Sequence, residues 1–162
     1  MKLVKFPDPI LKKRAEDWNF STQTNAEQIE NEMLLLMKAS NGRGLAANQV
    51  GLLYRVFVMR TDDGREFGLF NPTVKFTSEV EQEGEEGCLS FPDLWLDIKR
   101  PMAVDVEYLD RNGKECIISL VGIDARCFLH ELDHLNGVCF TDNISPLRLS
   151  IARKKQLKKR KK

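Results

Sequence analysis

Residues 123–135, IDARCFLHELDHL, decide how the rest of the chain must be arranged. Ile123, Cys127, His130 and His134 recur at helical spacing and lie near one face, so the stretch predicts a helix, and Asn136 and Gly137 can end it. Residues four apart on a helix stand about 40° apart around its axis, so the imidazoles of His130 and His134 project from the same face. Two such imidazoles can grip one metal ion, each through a nitrogen at about 2.0–2.1 Å. Glu131, beside them, can then act as a base toward an attacking water. The chain has only two histidines and both lie here, which makes a chance pairing on an ordinary helix a weak explanation.

Catalytic metal sites commonly take three protein ligands and leave one position open. Downstream of His134 there is no further histidine and no glutamate. Gly137 begins the spacing of a protease class that places a third histidine three residues after that glycine, but Phe140 stands at that position, and Asp142 is the only later acid. The third ligand must therefore be sought upstream as a cysteine, an aspartate or a glutamate. Cys88 answers that search, in the run Glu85, Glu86, Gly87, Cys88, Leu89, Ser90. Gly87 permits close backbone approach, and a thiolate is a good soft ligand. Taken alone, Cys88 would read as a buried structural cysteine; the two histidines that lack a third partner shift the balance. The other three, Cys116, Cys127 and Cys139, read as small buried hydrophobes. No pair has C-x-x-C spacing and the start has no secretory signature, so disulfides are not expected. A third stretch, residues 42–49 (GRGLAANQ), is rich in small residues that let another chain lie close. Its Gln49 amide could donate to a developing oxyanion, although such a stretch by itself usually reads as a flexible loop.

Working outward, residues 24–40 predict a helix with Ile29, Met33, Leu36 and Met37 on one face and Thr24 or Asn25 as cap. Residues 41–51 read as a loop. Residues 55–60 and 66–70 read as strands of a hairpin around Asp62, Asp63 and Gly64, and residues 103–109 and 114–121 as a second hairpin. Residues 79–86 hold five glutamates in eight positions and read as solvated. Strands and helices are segregated instead of alternating. The expected fold is α+β, with mostly antiparallel sheets packed around the central helix that carries the His-Glu-x-x-His motif.

A length of 162 residues suits one domain. No apolar run approaches the roughly 20 residues that span a bilayer, and the N-terminus is not a signal peptide, so the expectation is a cytoplasmic protein without a membrane partner. The net charge of +1 hides an asymmetry: residues 151–162 carry eight Lys or Arg and no acid, which leaves a net of −7 in the remainder. Residues 1–146 are read as a catalytic domain and 147–162 as a basic tail or short helix. Like charge disfavours helix at the tail's far end, and Leu147, Ile151 and Leu157 allow an amphipathic turn or two at its start. A metalloprotease of the His-Glu-x-x-His type is one rival reading, against which the absent downstream ligand counts. A catalytically idle RNA-binding module is another, against which the full set of catalytic side chains counts.

Three motifs, G-x-G-L-A-A-x-Q at 42–49, E-G-C-L-S at 86–90 and H-E-x-D-H at 130–134, occur in an order and spacing that resemble the signatures of peptide deformylases. The likeness runs from Lys5 to about Arg148 and includes PDPIL, FNP at 70–72 and DHLNGVCF. It implies a hydrolase that removes the N-formyl group from the first methionine of nascent polypeptides and releases formate. It also implies one divalent ion on Cys88, His130 and His134, ferrous in the cell and replaceable by Zn²⁺ or Ni²⁺. Glu131 would carry the proton, Gln49 and the Leu89 amide would hold the oxyanion, and Gly44, with Arg43 and Gly87 nearby, would contact substrate. Ile123 and Cys127, before His130 on the same face, can line the methionine pocket or belong to the plain core. The partners implied are formylmethionyl nascent peptides and, through the basic tail, the ribosome; nothing indicates DNA. Leu129, Arg43 and Trp95 depart from the family pattern, which bears on substrate preference and leaves the chemistry intact.

Overall fold

The apolar stripe of residues 24–40 forms helix α1, Ala26–Ala39, which buries Ile29, Met33 and Met37. Its N-cap is Asn25, but that side chain makes no capping hydrogen bond. The structure, a computed structural model, describes residues 1–159. After α1 come seven strands: β1 (Gly44–Ala46), β2 (Val56–Arg60), β3 (Glu66–Thr77), β4 (Glu81–Cys88), β5 (Phe91–Pro101), β6 (Ala103–Leu109) and β7 (Glu115–Val121). Helix α2 (Gly122–Leu135) and helix α3 (Pro146–Lys159) complete the order. One sheet has five strands in the order β1-β2-β3-β6-β7, and β4 and β5 form a separate two-stranded sheet. All these strand pairs are antiparallel, so the expected α+β architecture holds. Both expected hairpins form, with Val58 opposite Gly68 in the first and Val106 opposite Ile118 in the second.

The helix that carries the histidines lies between the two sheets and contacts both. Phe128, on the face away from the histidines, packs edge-on against Phe57 of β2 at 5.3 Å between ring centroids, in a cluster with Val104, Val106 and Leu120. Each such side chain contributes about 1.5–3 kcal/mol by leaving water, and truncating a buried Phe costs about 3–5 kcal/mol. A second cluster, around Trp18, Met33 and Phe70, lies between α1 and the five-stranded sheet; a third, around Phe91, Leu94, Ile98 and Phe140, lies under β5.

Four local expectations are corrected. Residues 41–51 are not all loop: β1 pairs with β2 through Leu45 opposite Val58, and a short 3-10 turn, Ala47–Val50, follows. An available strand edge overrides the weak propensity of a Gly-rich stretch. The glutamate-rich residues belong to β4, and one of them, Glu86, is buried. Strand β5 was not anticipated, although its burial alternates with period two at Leu94, Leu96, Ile98 and Arg100. The tail is helical through its charged stretch as far as Lys159; residues 160–162 lie outside the described chain. Docking explains the tail. Leu149 and Ala152 join the cluster under β5, the Gln156 amide donates to the Pro92 carbonyl at 2.6 Å, and Arg153 lies over the Phe6 ring. Tertiary contact of this kind stabilises a helix that like charge alone would fray.

Candidate metal centre

Helix α2 presents His130 and His134 on the face opposite Phe128, and both imidazoles are buried. Cys88 ends β4 and is held there by its register with Phe91 of β5. The ligand atoms of Cys88, His130 and His134 all lie within 4.8 Å of one another, and the Cys88 sulfur is 3.2 Å from Nε2 of His134. One sulfur and two imidazole nitrogens, buried and convergent, form the donor set of a mononuclear site for a borderline-soft divalent ion with room for an exchangeable ligand.

The outward nitrogen of His130 is also engaged. Nδ1 lies 2.9 Å from Oε2 of Glu86, which leaves Nε2 free to face an ion. The Glu86 carboxylate is itself clamped: Arg100 reaches both its oxygens, at 2.7 and 3.0 Å, and Arg126 reaches Oε1 at 2.8 Å. Burial pushes this carboxyl up, but the bonds from His130 and Arg100 outweigh it and hold it down at about 2. Glu86 is therefore a fixed anion. Burial opposes a charge on His130, yet its Cys88 and Glu86 neighbours raise it to about 10, so a metal binding there must displace a proton. His134, buried beside His130, is driven well below the ordinary imidazole range and stays neutral, the form that ligates a metal.

Glu131 behaves in the opposite way. It is 4% exposed and its Oε2 makes no hydrogen bond among the described residues. Burial raises its carboxyl to about 7, against the pull of His130 and with the push of the Glu86 charge. A carboxylate tuned to that range, touched by the Ala46 amide but with no partner for Oε2 among the described residues, can accept and return a proton near neutral pH. Gly44 makes its position possible, because a Cβ built there would stand 2.7 Å from Cγ of Glu131.

These groups open into a cavity of about 480 Å³. Gln49 is locked at its edge: its Oε1 accepts from the Ala46 amide at 2.8 Å, and its Nε2 points at the Ser90 hydroxyl at 3.1 Å and the Cys88 sulfur at 3.4 Å. Leu89 follows the cysteine at the hairpin tip and lines the same cavity.

Comparison with known proteins agrees with this geometry. The family described as polypeptide deformylase matches residues 1–150. The chain belongs to the polypeptide deformylase family. It is 41% identical to a peptide deformylase of Thermodesulfovibrio yellowstonii over 159 residues, covering 96% of this chain and 95% of that one. Among solved structures it superposes with a TM-score of 0.89 on a peptide deformylase from Synechococcus elongatus in complex with actinonin, at 34% identity, covering 96% of this chain and 87% of that one. A peptide deformylase from Legionella pneumophila also matches with a TM-score of 0.89, at 35% identity over 99% of this chain and 95% of that one. The chain is thus an enzyme of a metal-dependent deformylase family, and Cys88, His130 and His134 are its candidate metal site. Among the described residues no helix is long and apolar enough to cross a membrane.

The cavity gathers every candidate site residue named from the sequence except His134, which belongs to the Cys/His/His set without lining the cavity, and it excludes Leu129, which packs on the core. Ile123 sits at the rim, 43% exposed, and Cys127 lies deeper, its thiol pushed well up by burial and inert. Arg43 spans the mouth, paired to Asp62 at 3.0 Å and Asp124 at 3.1 Å. Gly87 lies under the indole of Trp95. Sequence reasoning missed Glu86, Ser90, Arg100 and Arg126. The available signal was the period-two placement of Gln82, Gly84 and Glu86 on one face of β4, hidden in a run that reads as uniformly acidic.

Proposed function

We propose that the chain hydrolyses the N-terminal formamide of formylmethionyl polypeptides with Glu131 as its proton carrier and with Cys88, His130 and His134 as ligands to a ferrous ion that Zn²⁺ or Ni²⁺ can replace. The observation that carries this reading is the buried Glu131 carboxylate, without a partner for Oε2, beside a convergent Cys/His/His set on the wall of a cavity. A divalent ion in such a set polarises a carbonyl and lowers the pKa of water, which a poorly electrophilic formamide requires.

The chain's own residues do the rest. Glu131 takes a proton from the attacking water as the C–O bond forms, and returns it to the amine nitrogen as the C–N bond breaks. Formate and a free N-terminus leave. Gln49 Nε2, held by its Ala46 bond, and the Leu89 amide donate to the oxygen that gains charge; losing one donor of this kind commonly costs about 10²–10³ in rate. Gly44, Arg43 and Gly87 lie along the groove where the peptide backbone runs, and Ile123 and Cys127 line the wall that receives the methionine side chain. The exposed cations Arg153, Lys154 and Lys155 of α3 suit ribosomal RNA as a docking partner.

The test is turnover of formyl-Met-Ala-Ser by protein purified without oxygen and analysed for metal. Formate release at one ion per chain, with no cleavage of an internal peptide bond, is the expected result. Cleavage of the internal bond instead would replace this reading with a protease.

A further inference from the structure

The three ligands come from two bodies that share no strand pairing. Cys88 stands at the tip of the β4–β5 sheet, whereas His130 and His134 ride on α2, which packs on the five-stranded sheet. Whether sulfur and imidazoles meet depends on how the hairpin is held against the helix. Arg126, four residues before His130 on α2, crosses that gap. Its NH1 donates to the Ile98 carbonyl of β5 at 2.8 Å, to the Gly84 carbonyl of β4 at 3.1 Å and to Glu86 Oε1 at 2.8 Å. Its NH2 donates to the Gln82 carbonyl at 2.8 Å. The side chain is 6% exposed. Room for it exists because residue 84 is glycine: a Cβ there would stand 3.0 Å from NH2. Arg100 makes the reverse crossing, from β5 to Asp133 of α2 at 2.8 Å, but among the described residues its guanidinium binds only side chains. Arg126 grips the backbone of both strands and so fixes where the hairpin itself lies.

We propose that Arg126 is a positioning residue of the metal centre: its guanidinium clamps β4 and β5 onto α2 so that Cys88 converges with the two histidines, and it orients Glu86 against the His130 ring. The fork geometry is essential, because a lysine ammonium is a point charge on a flexible stem and cannot serve three strand carbonyls and a carboxylate at fixed angles. Side chains that orient metal ligands in this way are typically worth about 10–100-fold in metal affinity. The clamp concerns metal binding; its consequence for turnover rests on the deformylase reading above.

The test uses the full chain with Arg126→Met, Arg126→Lys and Gly84→Ala, and Leu120→Ala as a control that weakens the five-stranded core away from the hairpin. Zn²⁺ dissociation constants are measured on the apoprotein by competition with a chromophoric chelator, the melting temperature of each apoprotein is recorded, and the thiolate-to-cobalt absorption band of the Co²⁺ form is read. Arg126→Met is expected to weaken Zn²⁺ binding by about 10–100-fold and to diminish the thiolate band. Arg126→Lys should fall between it and the parent, and Gly84→Ala should move in the same direction as Arg126→Met. Leu120→Ala should lose melting temperature while keeping its Zn²⁺ affinity. The proposal is overturned if Arg126→Met binds Zn²⁺ within twofold of the parent with an unchanged band. It is equally overturned if affinity in all four variants, the control included, simply tracks melting temperature. Should Arg126→Met not fold, unchanged affinity in both Arg126→Lys and Gly84→Ala overturns it. Formyl-peptide turnover by the parent is scored separately, so that a parent that binds metal but does not deformylate fails the functional reading and leaves the clamp standing.

Discussion

The Glu131 carboxylate lies where a side chain at residue 44 would have to go. Gly44 belongs to the edge strand β1 and Glu131 to helix α2, and a Cβ on the former would press on Cγ of the latter at 2.7 Å. Gly44→Ala is therefore expected to displace the proton carrier while leaving the Cys/His/His set in place. A displacement of about 1 Å in a positioned catalytic group costs on the order of 10²-fold. Turnover with metal content measured on the same sample checks this: the expected result is a full complement of metal with kcat reduced by about that factor.

Glu131→Gln removes the proton carrier without changing its shape. Metal content should be retained, and activity should fall by about 10²–10⁴-fold. Because burial holds the parent carboxyl up at about 7 in the metal-free protein, the ionised base is gained there as pH rises through that value. The acidic limb of kcat/KM should accordingly follow ionisation of Glu131, at a lower pH than in the metal-free protein because a bound divalent cation favours the anion. Near-normal turnover by Glu131→Gln on a formylmethionyl peptide would end the proposed mechanism.

Glu86 makes a linkage prediction of opposite sign. Its carboxyl is held down at about 2 against an ordinary value of 4.5, so the native state favours the anion. Its stabilising contribution is fully present above about pH 4.5 and is lost as pH falls toward 2. A difference of this size corresponds to about 3 kcal/mol. Glu86→Gln should lower the melting temperature at pH 7 and flatten the acid side of the stability profile, measured by denaturant unfolding at a series of pH values. It should also weaken metal binding, since the His130 ring loses its anionic acceptor.

Removal or exchange of the ion provides a further check. Cys88→Ser should lose most of its metal, because the soft sulfur donor is gone. The iron form of the parent should lose activity in air, since both a ferrous ion and its thiolate ligand are open to oxidation, and the zinc or nickel form should persist. Equal half-lives for the iron and zinc forms under air would count against a ferrous–thiolate centre. Chelation should lower the melting temperature and the unfolding free energy, the latter by what mass action gives for an ion bound to the native state alone: about 4 kcal/mol at a free concentration 1,000 times its dissociation constant.

Helix α3 requires a subtler variant than deletion. Its inner face is bonded to the hairpin that carries Cys88, through Leu149, Ala152 and Gln156, so cutting it away would disturb the metal centre as well as remove charge. Lys154→Gln with Lys155→Gln changes only exposed cations. Deformylation of a short peptide should be unaffected, while co-sedimentation with ribosomes at low salt should fall, along with its steep salt dependence. Undiminished co-sedimentation would assign the charge to solubility alone.

The helical repeat of Ile123, Cys127, His130 and His134 is a local periodicity, and it determined both the element and the pairing of the histidines. Ligand counting then led to Cys88, and three short motifs led to the family. The core under β5 was equally local, since Leu94, Leu96 and Ile98 alternate with period two as a half-buried strand does. What the residues could not reveal by themselves was the fate of their charges. Glu86 reads as one of five solvated glutamates, yet it is 5% exposed because Arg100, Arg126 and His130, 14, 40 and 44 residues away, converge on it. Glu131, in the same interior, finds no fixed partner for Oε2 and becomes a base. A carboxylate costs several kcal/mol to bury and is tolerated only where partners meet it. Periodicity tells which face of an element turns inward. Which distant groups wait there, and so whether a buried acid is a fixed anion or a proton carrier, is decided only when helix and hairpin pack together.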